Sequence, residues 1–266
     1  MHQPRKRFGQ HFLVAPEVIE QIVSAIAPRE GETILEIGPG QGAITDPLSL
    51  LASKLHCVEF DRDLVTGLVN RYANRPNVSI HEADALTFDF TSLGQSLRLV
   101  GNLPYNISTP LLFRLVAYRT IIADAHFMLQ KEVVDRITAS PGSKRFGRLT
   151  VMLGCRMESV PLFDVPPGAF SPPPKVVSSV VRMRPRPSDH YDIRDDETLE
   201  AIVKLAFSRR RKTLRNALNG LVTVAALDAA ELDLGLRPEQ VSIAEWVRLA
   251  NEPVSYTHLR AHETLR

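Results

Sequence analysis

From Thr33 to Leu129 the chain alternates short apolar runs with amphipathic stretches, and this rhythm restricts the possible folds more than any other feature. Thr33-Ile34-Leu35-Glu36-Ile37 reads as a short buried strand, and Leu55 to Phe60 as a second. Further strands are expected near Val78-His81, over Leu97-Gly101 and over Ala125-Leu129. Helices are expected between them, over Arg62 to about Tyr72 and Pro110 to about Ala117. Ahead of the first strand, Val18, Ile19, Ile22, Val23 and Ile26 recur at helical spacing, in a helix entered through Pro16 and running to Ala27. Strands and helices in strict alternation call for an α/β fold, a parallel doubly wound sheet with helices on both faces.

Two later segments break the rhythm. Leu149 to Met157 and Ser178 to Met183 are strand-like and flank the proline-rich stretch Pro166 to Pro174, which suggests a hairpin finishing one sheet edge. After Pro185-Arg186-Pro187 strand signals vanish. Helical patterns follow over Glu197 to Phe207, Arg211 to Leu221, Val224 to Leu232 and Ile243 to Ala250. The expected division is a sheet domain over 1–187, a small helical domain over 188–253 and a residual tail over 254–266. A chain of 266 residues has room for one large and one small domain.

In open α/β sheets ligands bind beyond the carboxyl ends of the strands, and four segments with chemical character fall there. Gly38-Pro39-Gly40-Gln41-Gly42 follows the first strand, where glycines let backbone approach a nucleotide. Glu59 ends the second strand and suits the two hydroxyls of a ribose. A nicotinamide-dependent dehydrogenase would share both features. Asp84, past the third strand, is placed to accept from an adenine amino group, although alone it also fits a turn or cap. The fourth segment is Asn102-Leu103-Pro104-Tyr105. An adenine amine is a poor nucleophile because its lone pair is delocalised into the ring. Two acceptors aimed at its hydrogens, the Asn102 side-chain oxygen and the Leu103 carbonyl, would draw the nitrogen toward a tetrahedral geometry. Pro104 fixes φ and removes a competing donor, and Tyr105 offers a face for a stacked base. By itself the tetrapeptide reads equally well as a polar turn.

Six segments in order carry a resemblance: Arg5-Lys6-Arg7-Phe8-Gly9-Gln10, Glu36-Ile37-Gly38-Pro39-Gly40, Asn102-Leu103-Pro104-Tyr105-Asn106-Ile107-Ser108, Phe127-Met128-Leu129-Gln130-Lys131-Glu132, Phe170-Ser171-Pro172-Pro173-Pro174-Lys175-Val176 and Arg209-Arg210-Arg211-Lys212-Thr213. Over residues 5–250 the chain resembles the ribosomal RNA adenine dimethyltransferases, most closely the bacterial enzymes acting on the small subunit. The resemblance implies a Rossmann-like, seven-stranded class I methyltransferase sheet with a helical C-terminal domain. It implies S-adenosyl-L-methionine as methyl donor, no metal, and dimethylation of N6 on two adjacent adenosines in a hairpin loop near the 3′ end of 16S rRNA. It further implies a donor site of His11, Leu13, Gly38, Glu59, Asp84 and Asn102, with Phe170 closing the second face of the target base. Position 11 departs from the asparagine common in the family, and His11 introduces a titratable ring. Within this resemblance the alternatives are a large-subunit rRNA methyltransferase conferring antibiotic resistance and an idle ribosome-assembly factor.

The net charge is only +2, so contact with RNA phosphates must come from local clusters. Three are expected: Arg5, Lys6 and Arg7; Lys144, Arg145 and Arg148; and Arg209, Arg210, Arg211 and Lys212, the last opening a C-terminal helix. The expected partner is small-subunit rRNA in the subunit or its precursor. Cys57 and Cys155 lack metal-type spacing and read as buried thiols of a reducing compartment. No signal segment or membrane span is legible, and a soluble, cytoplasmic monomer is expected. The tail from Ser255 to Arg266 resembles translated linker sequence; His258 and His262 stand four apart there without a third ligand.

Overall fold

The structure, a computed structural model, describes residues 11–252. Arg5, Lys6, Arg7 and the expected tail lie outside the described residues. The chain forms two compact units, one of residues up to Val134 with Met157–Pro185, the other of Asp135–Arg156 with residues from Arg186 onward. The helical unit therefore takes in a 135–156 segment that the division at residue 187 assigns to the sheet domain.

The sheet unit opens with β1 (Phe12–Leu13), α1 (Pro16–Ile26), β2 (Thr33–Ile37), α2 (Thr45–Leu51), β3 (Lys54–Glu59), α3 (Arg62–Tyr72) and β4 (Val78–Glu82). The chain continues through β5 (Leu97–Asn102), α4 (Ser108–Ala117), β6 (Ile122–Gln130) and α5 (Lys131–Ile137), within which the second unit begins, and the sheet unit resumes with β7 (Met157–Val165), β8 (Phe170–Ser171) and β9 (Ser178–Pro185). Seven strands form one sheet in the order β4-β3-β2-β5-β6-β9-β7, with β1 and β8 paired separately. The pairs from β4 to β6 are parallel, and β9 runs antiparallel to both β6 and β7. Strand order reverses between β2 and β5, so their carboxyl ends flank the crevice where such sheets bind ligands.

Two features hold that crevice in register. At the far end, Arg98 of β5 makes a two-pronged pair with Asp124 of β6 (Nε–Oδ1 3.0 Å, Nη2–Oδ2 2.9 Å). The same guanidinium donates to Glu32 and to the Ile26 and Ala27 carbonyls, tying the end of α1 to the sheet. Removing one member of a buried pair of this kind costs roughly 3–5 kcal/mol. At the near end, Gly101 lies so close to β2 that a Cβ there would stand 2.4 Å from the Ile37 carbonyl oxygen.

The segment expected as a strand over Leu149 to Met157 is a helix instead, α6 (Arg148–Gly154), and the edge strand begins only at Met157. A short apolar run cannot distinguish the two states. The helix wins because Val151 and Leu153 bury fully and the Thr150 hydroxyl accepts the Gly147 amide at 3.0 Å. The true strand carries Pro161, which an edge position with an irregular register at Pro161 and Phe163 tolerates. In the helical unit, α7 (Asp196–Ser208), α8 (Leu214–Ala217), α9 (Val224–Ala229) and α10 (Ile243–Ala250) accompany α6 around Phe146, Leu199, Ile202 and Trp246. Among the described residues no helix is long and apolar enough to cross a membrane.

Candidate active site

A cavity of about 240 Å³ opens at the carboxyl ends of β2, β3, β4 and β5. Its walls bring together residues from distant parts of the sequence: His11, Gly38, Glu59, Asp84 and Asn102 through Tyr105. Gly38 and Gly40 both have positive φ, +70° and +58°, a conformation glycine adopts without strain. A Cβ on Gly40 would come within 3.2 Å of the Phe12 ring, so that turn and β1 are fitted to each other.

Glu59 is nearly buried and is held by three backbone amides. Gly40 donates to Oε2 at 3.1 Å, while Phe60 and Asp61 each donate to Oε1 at 2.9 Å. Burial pushes its carboxyl up from the ordinary carboxylate range, and the three amides pull it partly back. With two amides on Oε1 and one on Oε2, the lone-pair site left for a hydroxyl donor is on Oε2. Asp84 accepts the Leu86 amide at Oδ1 (2.8 Å), an Asx turn that presents the other oxygen separately.

Behind the glycine turn stands Glu36, 1% exposed, accepting the Thr45 hydroxyl at 2.7 Å and facing the Cys57 thiol at 3.9 Å. Desolvation pushes its carboxyl up to about 7, with Glu59 and Asp46 adding to the rise. The lone acid inside the apolar run Ile34-Leu35-Glu36-Ile37 is the trace of this buried group in the sequence. Cys57 and Cys155 are both buried and free, and burial pushes the Cys155 thiol up to about 12.

The Asn102 carboxamide donates Nδ2–H to the His11 carbonyl at 3.1 Å. This leaves Oδ1 as the acceptor, because a carbonyl cannot donate to it. The Leu103 amide donates to the Met128 carbonyl at 3.1 Å, which fixes the peptide that joins Asn102 to Leu103; the second acceptor, the Leu103 carbonyl, belongs to the next peptide, whose nitrogen is that of Pro104. No hydrogen bond among the described residues engages Asn102 Oδ1 or the Leu103 carbonyl. The Tyr105 hydroxyl lies 3.2 Å from Ser178 Oγ, and the Ser108 hydroxyl donates to the Tyr105 carbonyl at 3.1 Å as α4 begins. The tetrapeptide is therefore anchored on both sides, and all four of its residues line the cavity.

Two expected residues of the pocket stand otherwise. Leu13 is 5% exposed and pairs with Phe170, which is 4% exposed; both belong to the apolar core and neither lines the cavity. Phe12 and the exposed Phe60 line the wall instead. Neither carries a local sequence signal, since only the β1–β8 pairing brings Phe12 to the glycine turn. Within the helical unit, the cluster over Arg209–Lys212 lies in the turn after α7 rather than opening a helix. With Ser208 and Asn216 those four cations line a surface cleft. Arg211 and Lys212 are exposed, whereas Arg210 pairs with Glu239 at 3.4 Å and donates to the Lys144 carbonyl at 2.7 Å. Arg145 pairs with Asp135 at 2.8 Å and Arg148 with Glu200 at 2.5 Å, so these two already have internal acidic partners. Lys144 is exposed.

The sequence matches the family described as ribosomal RNA adenine dimethylase over residues 1–253. The chain belongs to this family. Its catalysts are rRNA adenine dimethyltransferases, and the described sheet is the class I methyltransferase sheet. Among its relatives is the ribosomal RNA small subunit methyltransferase A of Aromatoleum aromaticum, 53% identical over 250 residues that cover 94% of each chain. The protein of the same name from Pseudomonas aeruginosa is 51% identical over 256 residues, covering 94% of this chain and 95% of that one. Of solved structures, a dimethyladenosine transferase from Plasmodium falciparum superposes with a TM-score of 0.78 at 27% identity, over 90% of this chain and 96% of that one. The 23S rRNA methyltransferase ErmE reaches 0.70 at 27% identity, over 90% and 98% respectively.

Proposed function

We propose that this adenine dimethyltransferase uses S-adenosyl-L-methionine to methylate N6 twice on each of two adjacent adenosines in a hairpin loop near the 3′ end of 16S rRNA. Its substrate is then the small ribosomal subunit or a precursor of it, met by a cytoplasmic monomer. The observation that carries the reading is the pair of unengaged acceptors, Asn102 Oδ1 and the Leu103 carbonyl, held at the wall of a nucleotide-sized cavity. Identity of 51–53% to small-subunit enzymes, against 27% to a large-subunit enzyme, supports the choice of subunit.

The residues present fit the donor. Glu59 offers a buried carboxylate to the ribose hydroxyls, and Asp84 keeps one oxygen for the donor's adenine amine. The turn at Gly38 and Gly40 leaves room for close approach by the rest of the molecule. When bound, S-adenosyl-L-methionine supplies a methyl already activated by a sulfonium. What the chain must add is alignment, which in well-oriented reactions accounts for several kcal/mol of the barrier. Asn102 Oδ1 and the Leu103 carbonyl accept the two amine hydrogens and bring the nitrogen lone pair out of conjugation. Tyr105 holds the extruded base by stacking. The methylated nitrogen becomes acidic, so its proton passes to water and no strong base is needed. In the second round only one N–H remains. One acceptor then holds it while the other faces the methyl already installed.

Replacing Asn102 with Ala should abolish methyl incorporation while leaving RNA affinity within about threefold, as measured by filter binding and labelled donor. Normal incorporation by N102A would refute the assignment.

A further inference from the structure

We propose that His11 is a positioning residue, acting on the reaction through Asn102 rather than through the donor alone; this rests on the functional reading above. Two hydrogen bonds meet at this residue. Its main-chain carbonyl takes Nδ2–H of Asn102 at 3.1 Å, and its ring donates Nδ1–H to the Pro172 carbonyl at 2.8 Å. The first bond decides which end of the carboxamide faces the cavity. Without it the amide could rotate by half a turn and present a donor to an amine that needs an acceptor. The second bond holds the carbonyl in place by fastening its residue to the proline-rich segment beyond β8. The same ring lies beside Tyr105, with centroids 5.8 Å apart at 33°. His11 therefore joins the acceptor, the base-stacking residue and the Pro172 backbone. None of these three neighbours it in sequence.

Only the ring Nδ1–H is needed for the latch. The neutral tautomer protonated at Nδ1 donates there, and so does the imidazolium. Asparagine attaches a donor nitrogen to Cγ as histidine attaches Nδ1, so Asn at this position can make the same bond to Pro172. Phenylalanine keeps the ring beside Tyr105 but has no donor.

The test compares His11→Asn, His11→Phe and His11→Ala in the full chain. Turnover and donor affinity are read with unmodified small subunits, and hydrogen exchange of the Asn102 side-chain amide is read by NMR in the donor-free protein. In H11F and H11A, kcat should fall about tenfold or more with donor affinity changed less than about threefold. Exchange of the Asn102 amide should quicken about tenfold in the same two variants. H11N should restore both to within about threefold of the unaltered chain. Wild-type kcat and exchange in H11F, or H11N as impaired as H11F, would overturn the proposal. Absence of any transfer by the unaltered chain would instead sink the functional reading, and the exchange measurement would still decide the role of His11.

Discussion

Adding one methyl group at Gly101 and the same group at Gly67 should have opposite effects. A Cβ at Gly101 would sit 2.4 Å from the Ile37 carbonyl oxygen and 3.2 Å from Leu103 Cδ2. Backbone oxygen is the least yielding neighbour, and real Cβ atoms essentially never approach within 3.0 Å, so β2 and β5 must separate by at least about 0.6 Å. Overpacking of this kind costs roughly 1–3 kcal/mol. The displaced residue is followed directly by Asn102, and a misplacement approaching 1 Å can cost about 100-fold in rate. Gly67 is in the interior of α3 with nothing within 4 Å of its would-be Cβ. There alanine should stabilise by about 0.5–1 kcal/mol through helix propensity. Urea unfolding followed by circular dichroism gives both stabilities, and single-turnover methyl transfer gives the rate. G101A should lower the unfolding midpoint and slow transfer at least tenfold, while G67A raises the midpoint and leaves transfer unchanged. Equal midpoints for the two variants, or wild-type transfer by G101A, would show that the β2–β5 approach does not set the acceptor.

Acid sensitivity should trace in part to His126, whose side chain is 2% exposed and whose pKa burial pushes down to about 4. The unfolded chain takes up this proton near 6.5 and the folded chain only near 4, so the contribution to stability is present above 6.5 and is lost as pH falls. Between pH 7 and 5 the loss is about 2 kcal/mol; denaturant titrations should show a shallower pH dependence for H126Q, and identical slopes would refute the assignment. Replacing Arg211 and Lys212 together with Ala should reduce the slope of log affinity for RNA against log salt by about 1–2, as each lost phosphate contact lowers it by slightly under one. R145A should change that slope less, since Arg145 already has Asp135 as a partner; a larger effect from R145A would reverse the ranking.

The sheet was legible because its strands carry two independent markers, apolar runs and chemically distinctive ends. The helix expected over Arg62 to Tyr72 is observed with those bounds, capped by Asp61, whose side chain accepts the Asp63 amide at 3.1 Å. Gly38, Glu59, Asp84 and Asn102 converge because each ends or follows a parallel strand, a placement that topology alone predicts. The helix α6 was not legible, since Leu149 to Met157 is too short to show a period and its packing partners come from later in the chain. For a similar reason Phe170, expected at the site, lies in the core, while Phe12, which the sequence does not single out, lines the cavity. Their environment is set by the pairing of Leu13 with Phe170, a contact between segments far apart in sequence. The cationic segments could be located but not ranked, because the acidic partners of Arg145, Arg148 and Arg210 are not their neighbours in sequence.

The central claim concerns which atom is methylated and where. Small subunits lacking the modification should be incubated with this protein and labelled S-adenosyl-L-methionine, and the rRNA then digested and mapped by mass spectrometry. Two neighbouring N6,N6-dimethyladenosines near the 3′ end of 16S rRNA, absent when N102A replaces the unaltered chain, are the predicted result. Label in large-subunit rRNA, on another base, or incorporated equally by N102A would contradict the account.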